Sequence, residues 1–162
     1  MSGVKSQLVE DLGVARCVVV DTNLLVLDAV GRVDPNGISK HKRTSAFTLE
    51  DWNLLQEGLG AIREMVVTPH VLAETSNLLD EDRLRSAMLE RARGLREEHL
   101  ALDWLIFTRR LGSIVLRLGV TDGVLVELST RGVVVLTTDH KLHAAILECD
   151  GDGVNFNHYR RV

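Results

Sequence analysis

Proline, cysteine and aromatic residues are all scarce in this chain of 162 residues. Two prolines leave no proline-rich linker, and neither a serine-rich stretch nor an internal repeat takes its place. Two cysteines, Cys17 and Cys149, are too few for a disulfide scaffold, and each sits close to an apolar stretch, Val18-Val19-Val20 and Ala144-Ala145-Ile146-Leu147. At 4% aromatic content, platforms for stacking nucleic-acid bases are poorly supplied. No apolar run approaches the roughly 18–20 residues that a membrane-spanning helix needs. The opening MSGVKSQLVEDLGVAR sets Glu10 and Asp11 ahead of the first apolar run, which does not read as a signal peptide. The expectation is a cytoplasmic protein without a membrane partner. Excess positive charge is missing too. A formal net charge of −4 opposes binding to nucleic acid through its phosphates alone.

What the chain does contain is alternation. Short β-branched runs at 17–20, 65–68 and 133–137 read as strands, with a weaker one at 154–156. They are continuous in valine, which suits strands buried on both faces. Helix patterns separate them at 22–30, 48–63, 69–79, 81–105, 121–130 and 140–149. Thr48 and Asp51 form a capping-box pattern, and Pro69 stands at a first-turn position where its missing N–H costs nothing. The arginines and glutamates of 81–105 have the i,i+4 spacing of a solvated face. Trp52 and Trp104 fall in apolar helix patterns, as core or interface anchors. Residues 31–46 read as a polar loop, within an extended connection covering about 31–63. Strands alternating with helices predict one α/β domain over 1–162, its parallel sheet covered on both faces.

In such folds ligands bind beyond the carboxyl ends of the strands. Asp21 closes the first strand, Asp139 follows the 133–137 strand, Asp122 opens a helix, and Glu74 lies one turn into the helix after the second strand. Singly, Asp122 and Asp139 read as helix caps and Glu74 as a solvated helix residue. Together they pose an electrostatic problem, because crowded carboxylates raise one another's pKa. A hard cation such as Mg²⁺ or Mn²⁺ relieves that crowding, prefers oxygen ligands and retains waters. Zinc fits less well, since His140 and His143 lack a third ligand at suitable spacing.

The ordered set VVVDTN, TPHVLAETSNLL, LRLGVTDGVLVELS and VVVLTTDHKLHAA, followed by VNFNHYR, resembles the PIN-domain ribonucleases over about residues 17–156. The resemblance implies a three-layer α/β/α sandwich with a parallel sheet in the order 3-2-1-4-5. It implies metal-ligand and catalytic roles for Asp21, Glu74, Asp122 and Asp139, with Thr137 and Asn23 supporting the site. It also implies Mg²⁺- or Mn²⁺-dependent hydrolysis of RNA phosphodiesters, at one or two ions, leaving 5′-phosphate and 3′-hydroxyl ends. The small size resembles the toxin nucleases of toxin–antitoxin pairs, which implies a homodimer and an antitoxin protein. Gly123 departs from the family pattern, standing where alanine is usual and loosening the helix start.

For RNA contact the sequence offers Lys40, Lys42 and Arg43 in the long loop, then Arg109-Arg110 and Arg160-Arg161. The competing readings are an RNA-processing nuclease without an antitoxin, a non-catalytic nucleic-acid-binding domain, and a receiver-like domain. A receiver would need an acidic pair near the first strand, where this chain has Asp21 alone. A haloacid-dehalogenase-type phosphatase would need aspartate where Asn23 stands.

Overall fold

A computed structural model describes residues 3–97 and 104–161. Three consecutive valines make up β1 (Val18–Val20), which is completely buried between β2 (Met65–Val67) and β4 (Val134–Thr137). The edges are β3 (Arg96–Glu97) and β5 (Gly153–Asn155), so the sheet runs β3-β2-β1-β4-β5 with every pair parallel. A central strand needs apolar side chains on both faces, and the unbroken valine run supplies them.

The helices fall into two mutually packed groups. One contains α1 (Gly3–Val14), α2 (Thr22–Val33), α3 (Leu49–Ala61), α4 (Pro69–Leu78) and α5 (Asp82–Ala92). The other contains α6 (Trp104–Leu118), α7 (Val120–Ser129) and α8 (His140–Glu148). This arrangement is consistent with a three-layer α/β/α fold. Among the described residues, no helix is long and apolar enough to cross a membrane.

Local chemistry accounts for several boundaries. Thr48 and Asp51 form the expected reciprocal capping box at the start of α3, and Thr68 accepts the Val71 N–H at the start of α4, with Pro69 in the first turn. Two expectations are overturned. The polar loop at 31–46 is instead largely ordered: α2 continues to Val33, and Pro35–Lys40 forms a 3-10 helix. Gly31 lies inside α2 as a packing glycine, since a Cβ there would fall 2.3 Å from the indole of Trp52. The single helix at 81–105 is instead α5, a turn and the edge strand β3, with α6 beginning at Trp104. The amphipathic pattern in α5 masked that break. The Trp104 side chain lies outside the described residues.

The solvated-face reading of α5 also fails at Arg91. Its guanidinium donates to both oxygens of Asp28 on α2, at 2.8 and 2.9 Å, and to Gln56 Oε1 on α3. Asp28 is 1% exposed, so the pair joins three helices around a buried charge. Arg160 is likewise engaged inward, in hydrogen bonds to Asp51, Asn157 and the Ala46 carbonyl, with its guanidinium over the Phe47 ring.

Candidate active site

The site starts from strand register. Val20 pairs with Leu136, and the Asp21 N–H donates to the Leu136 carbonyl at 2.9 Å, so the next residues, Asp21 and Thr137, stand side by side. The Thr137 hydroxyl donates to Asp21 Oδ2 at 2.6 Å, and the Thr22 N–H donates to Oδ1 at 2.7 Å. Thr137 Oγ1 also accepts the Asp139 N–H at 2.9 Å. One buried hydroxyl therefore ties the ends of β1 and β4 together. Asp139 does cap α8, its Oδ1 accepting the Lys141 and Leu142 N–H groups at 2.7 and 3.1 Å. It is a cap and a cavity-lining carboxylate at once.

Asp122 is no cap. It lies inside the first turn of α7, whose N-cap is Gly119, and among the described residues no hydrogen bond ends on its carboxylate. Gly119 has φ +100°, which lets α6 turn directly into α7. Gly123 is explained by packing: a Cβ there would lie 2.6 Å from Val115 Cγ2 and 3.2 Å from Phe107 Cζ of α6. What reads as a loosened helix start is a close approach between helices. Glu74 is exposed, one turn into α4, a helix that contacts α7.

These elements surround one cavity of about 280 Å³, lined by Asp21, Glu74, Asp122 and Asp139 together with Thr22, Asn23, Leu118, Gly119 and Thr121. No lysine or arginine is among these described lining residues. Burial first, and the nearby Asp21, Asp139 and Glu74 carboxylates second, push the Asp122 carboxyl up to about 7. Burial likewise pushes Asp21 up, opposed by the Thr137 and Thr22 hydrogen bonds and reinforced by Glu74 and Asp139. Thr22 keeps a buried hydroxyl with no hydrogen-bond partner among the described residues. An all-oxygen, uncompensated acidic donor set fits a hard divalent cation. The fit is to its chemistry, since among the described residues no three aspartate, glutamate, histidine or cysteine side chains are drawn into a group that holds a metal ion as they stand.

The other candidates are dispersed. Asn23 lines the cavity and is exposed, but the bonds that orient Asp21 come from Thr137 and Thr22. Lys40 and Lys42 line a different cavity, which shares no lining residue with the acidic one, and Lys42 Nζ is 2.6 Å from Asp80. Arg43 is exposed, its N–H donating to His41 Nδ1. Arg109 is exposed, and Arg110 lies 3.7 Å from Glu127. His140 meets Asn155, and His143 meets the ring of His158 edge-on, so both turn toward the last strand and tail. Thr22 and Gly119 also line the cavity; the helix patterns read from the sequence include none just before Gly119, so its place between α6 and α7 emerges only in the structure.

No protein-family model, curated protein or solved structure matches this chain. The likeness to PIN-domain ribonucleases therefore rests on its motifs.

Proposed function

We infer that this chain is a metal-dependent ribonuclease that hydrolyses RNA phosphodiester bonds at the acidic cavity. One observation carries the reading: carboxylates from four separate segments, at positions 21, 74, 122 and 139, line one cavity at the carboxyl end of a parallel sheet with no basic residue among the described lining residues. Asp21, Glu74, Asp122 and Asp139 would hold one or two Mg²⁺ or Mn²⁺ ions. Such an ion supplies a water of lowered pKa and positive charge beside the phosphoryl oxygens.

The chain's own residues supply position and protonation. Thr137 fixes the Asp21 carboxylate and, through the Asp139 N–H, the start of α8. Asp122, with a pKa of about 7, gives up a proton to complete the donor set, so cation affinity falls on acidification. Asn23 offers an exposed amide beside the cavity for hydrogen bonding to the bound strand.

The test is cleavage of single-stranded RNA with Mg²⁺ or Mn²⁺, repeated with a chelator and with Asp21→Asn. Cleavage dependent on both the metal and Asp21 is expected. Cutting that survives chelation or the substitution removes the proposal. By the same resemblance the biological role is that of a toxin restrained by an antitoxin. Growth arrest on expression of the native chain, absent with Asp21→Asn, is the expected result.

A further inference from the structure

A second groove opens beside the acidic cavity. It has a volume of about 410 Å³ and is lined by Arg117, Leu118, Lys141, Ala144, Ala145 and Glu148. Leu118 lines both spaces, so the groove adjoins the acidic pocket, and its other lining residues come from α6 and α8, which are in contact. On α8, Lys141, Ala144, Ala145 and Glu148 have i, i+3, i+4 and i+7 spacing, which places them on one helix face. The two alanines leave the seam open where longer side chains would fill it.

We propose that this groove holds the sugar-phosphate backbone of the RNA strand whose scissile bond lies in the acidic cavity, with Arg117 and Lys141 as its phosphate contacts. The inference rests on the ribonuclease reading. An acidic cavity repels a polyanion, so a strand passing through it needs cationic contacts nearby. The lysine–arginine run at 40–43 does not line the cavity. Arg117 and Lys141 line the groove that adjoins it at Leu118. Lys141 makes no side-chain ion pair among the described residues, and its exposed ammonium stays available to phosphate. Arg117 lies 3.6 Å from Glu148, with 58% and 63% of the two side chains exposed. An ion pair this exposed is weak, and a phosphate can replace Glu148 as the partner of Arg117. Glu148 thus competes with the strand and opposes nonspecific binding.

The experiment measures binding of a fluorescently labelled 12-nucleotide single-stranded RNA to the full chain carrying Asp21→Asn, in chelator, across a salt series. Arg117→Ala with Lys141→Ala should weaken binding at least tenfold and reduce the slope of log K against log salt by about 1.4, at about 0.7 for each lost single-strand contact. Arg16→Ala with Arg63→Ala makes the same net charge change just before β1 and β2, at the opposite end of the strands, and should have little effect. Glu148→Gln should tighten binding, a gain that simple loss of structure would not produce. Equal losses in the two double variants, weaker binding by Glu148→Gln, or no measurable binding at low salt overturns the proposal. Cleavage is not required for this readout. RNA that is held through the groove but never cut by the native chain removes the ribonuclease reading and leaves the groove; RNA cut by the native chain but bound equally by both double variants does the reverse.

Discussion

The Thr137 hydroxyl lies 2.6 Å from Asp21 Oδ2, joining residues 116 positions apart in sequence at the centre of the sheet. Parallel register makes this contact: with Val20 opposite Leu136, the residue after each strand partner comes to the same level. Thr137→Val keeps the shape and removes the donor to a buried carboxylate and the acceptor for the Asp139 N–H. A loss of about 1–3 kcal/mol is expected at neutral pH, read by urea unfolding, with Thr137→Ser recovering most of it. Equal stability of the valine variant and the native chain would contradict this role.

Asp122 sets a pH dependence with a definite sign. Its folded pKa, about 7, lies above the ordinary 3.8, so the folded chain holds this proton more tightly than the unfolded chain. The group favours folding at low pH, and its contribution becomes unfavourable as pH rises from the ordinary value through about 7. Asp122→Asn removes that slope. In chelator at pH 8 the variant should melt higher than the native chain, by about 2–4 °C for each kcal/mol of repulsion relieved. A lower melting temperature would mean that the carboxylate stabilises the start of α7.

Addition of Mn²⁺ or Mg²⁺ should raise the melting temperature of the native chain at pH 8 and have less effect at pH 5.5, where Asp122 is protonated. Asp122→Asn and Asp21→Asn should blunt the gain at pH 8. Equal stabilisation of all three proteins would place the cation elsewhere.

Gly123→Ala tests packing against propensity. In an exposed helix alanine would be favoured over glycine by about 1 kcal/mol. Here its Cβ would fall 2.6 Å from Val115 Cγ2, with Phe107 behind it, so a net destabilisation of about 1–3 kcal/mol is expected. Val115→Ala in the same chain should relieve part of it. Chemical unfolding of the two single variants and the pair makes the comparison.

Arg91→Ala leaves the Asp28 carboxylate buried without its guanidinium, and a loss of about 3–5 kcal/mol is expected. Replacing both residues, Asp28→Leu with Arg91→Met, should lose much less, because neither charge then remains unpaired. A double-mutant cycle on unfolding free energy separates the two outcomes.

Local pattern determined a great deal. The valine runs fixed where β1 and β4 lie, Thr48 and Asp51 fixed the start of α3, and strand–helix alternation placed Asp21 and Asp139 at junctions where a parallel sheet exposes its carboxyl edge. These features depend on neighbours within a few residues, which a sequence displays directly. Tertiary structure alone decided that α5 stops before β3, that Arg91 turns inward to Asp28 and Arg160 to Asp51, and that Gly123 admits α6. It also decided that Lys40 and Lys42 line a separate cavity while Arg117 and Lys141 line a groove that shares Leu118 with the acidic one. An arginine on a charged helix has the same local pattern whether it faces water or a buried aspartate. Desolvation and long-range pairing distinguish the two, and both arise only when distant segments pack.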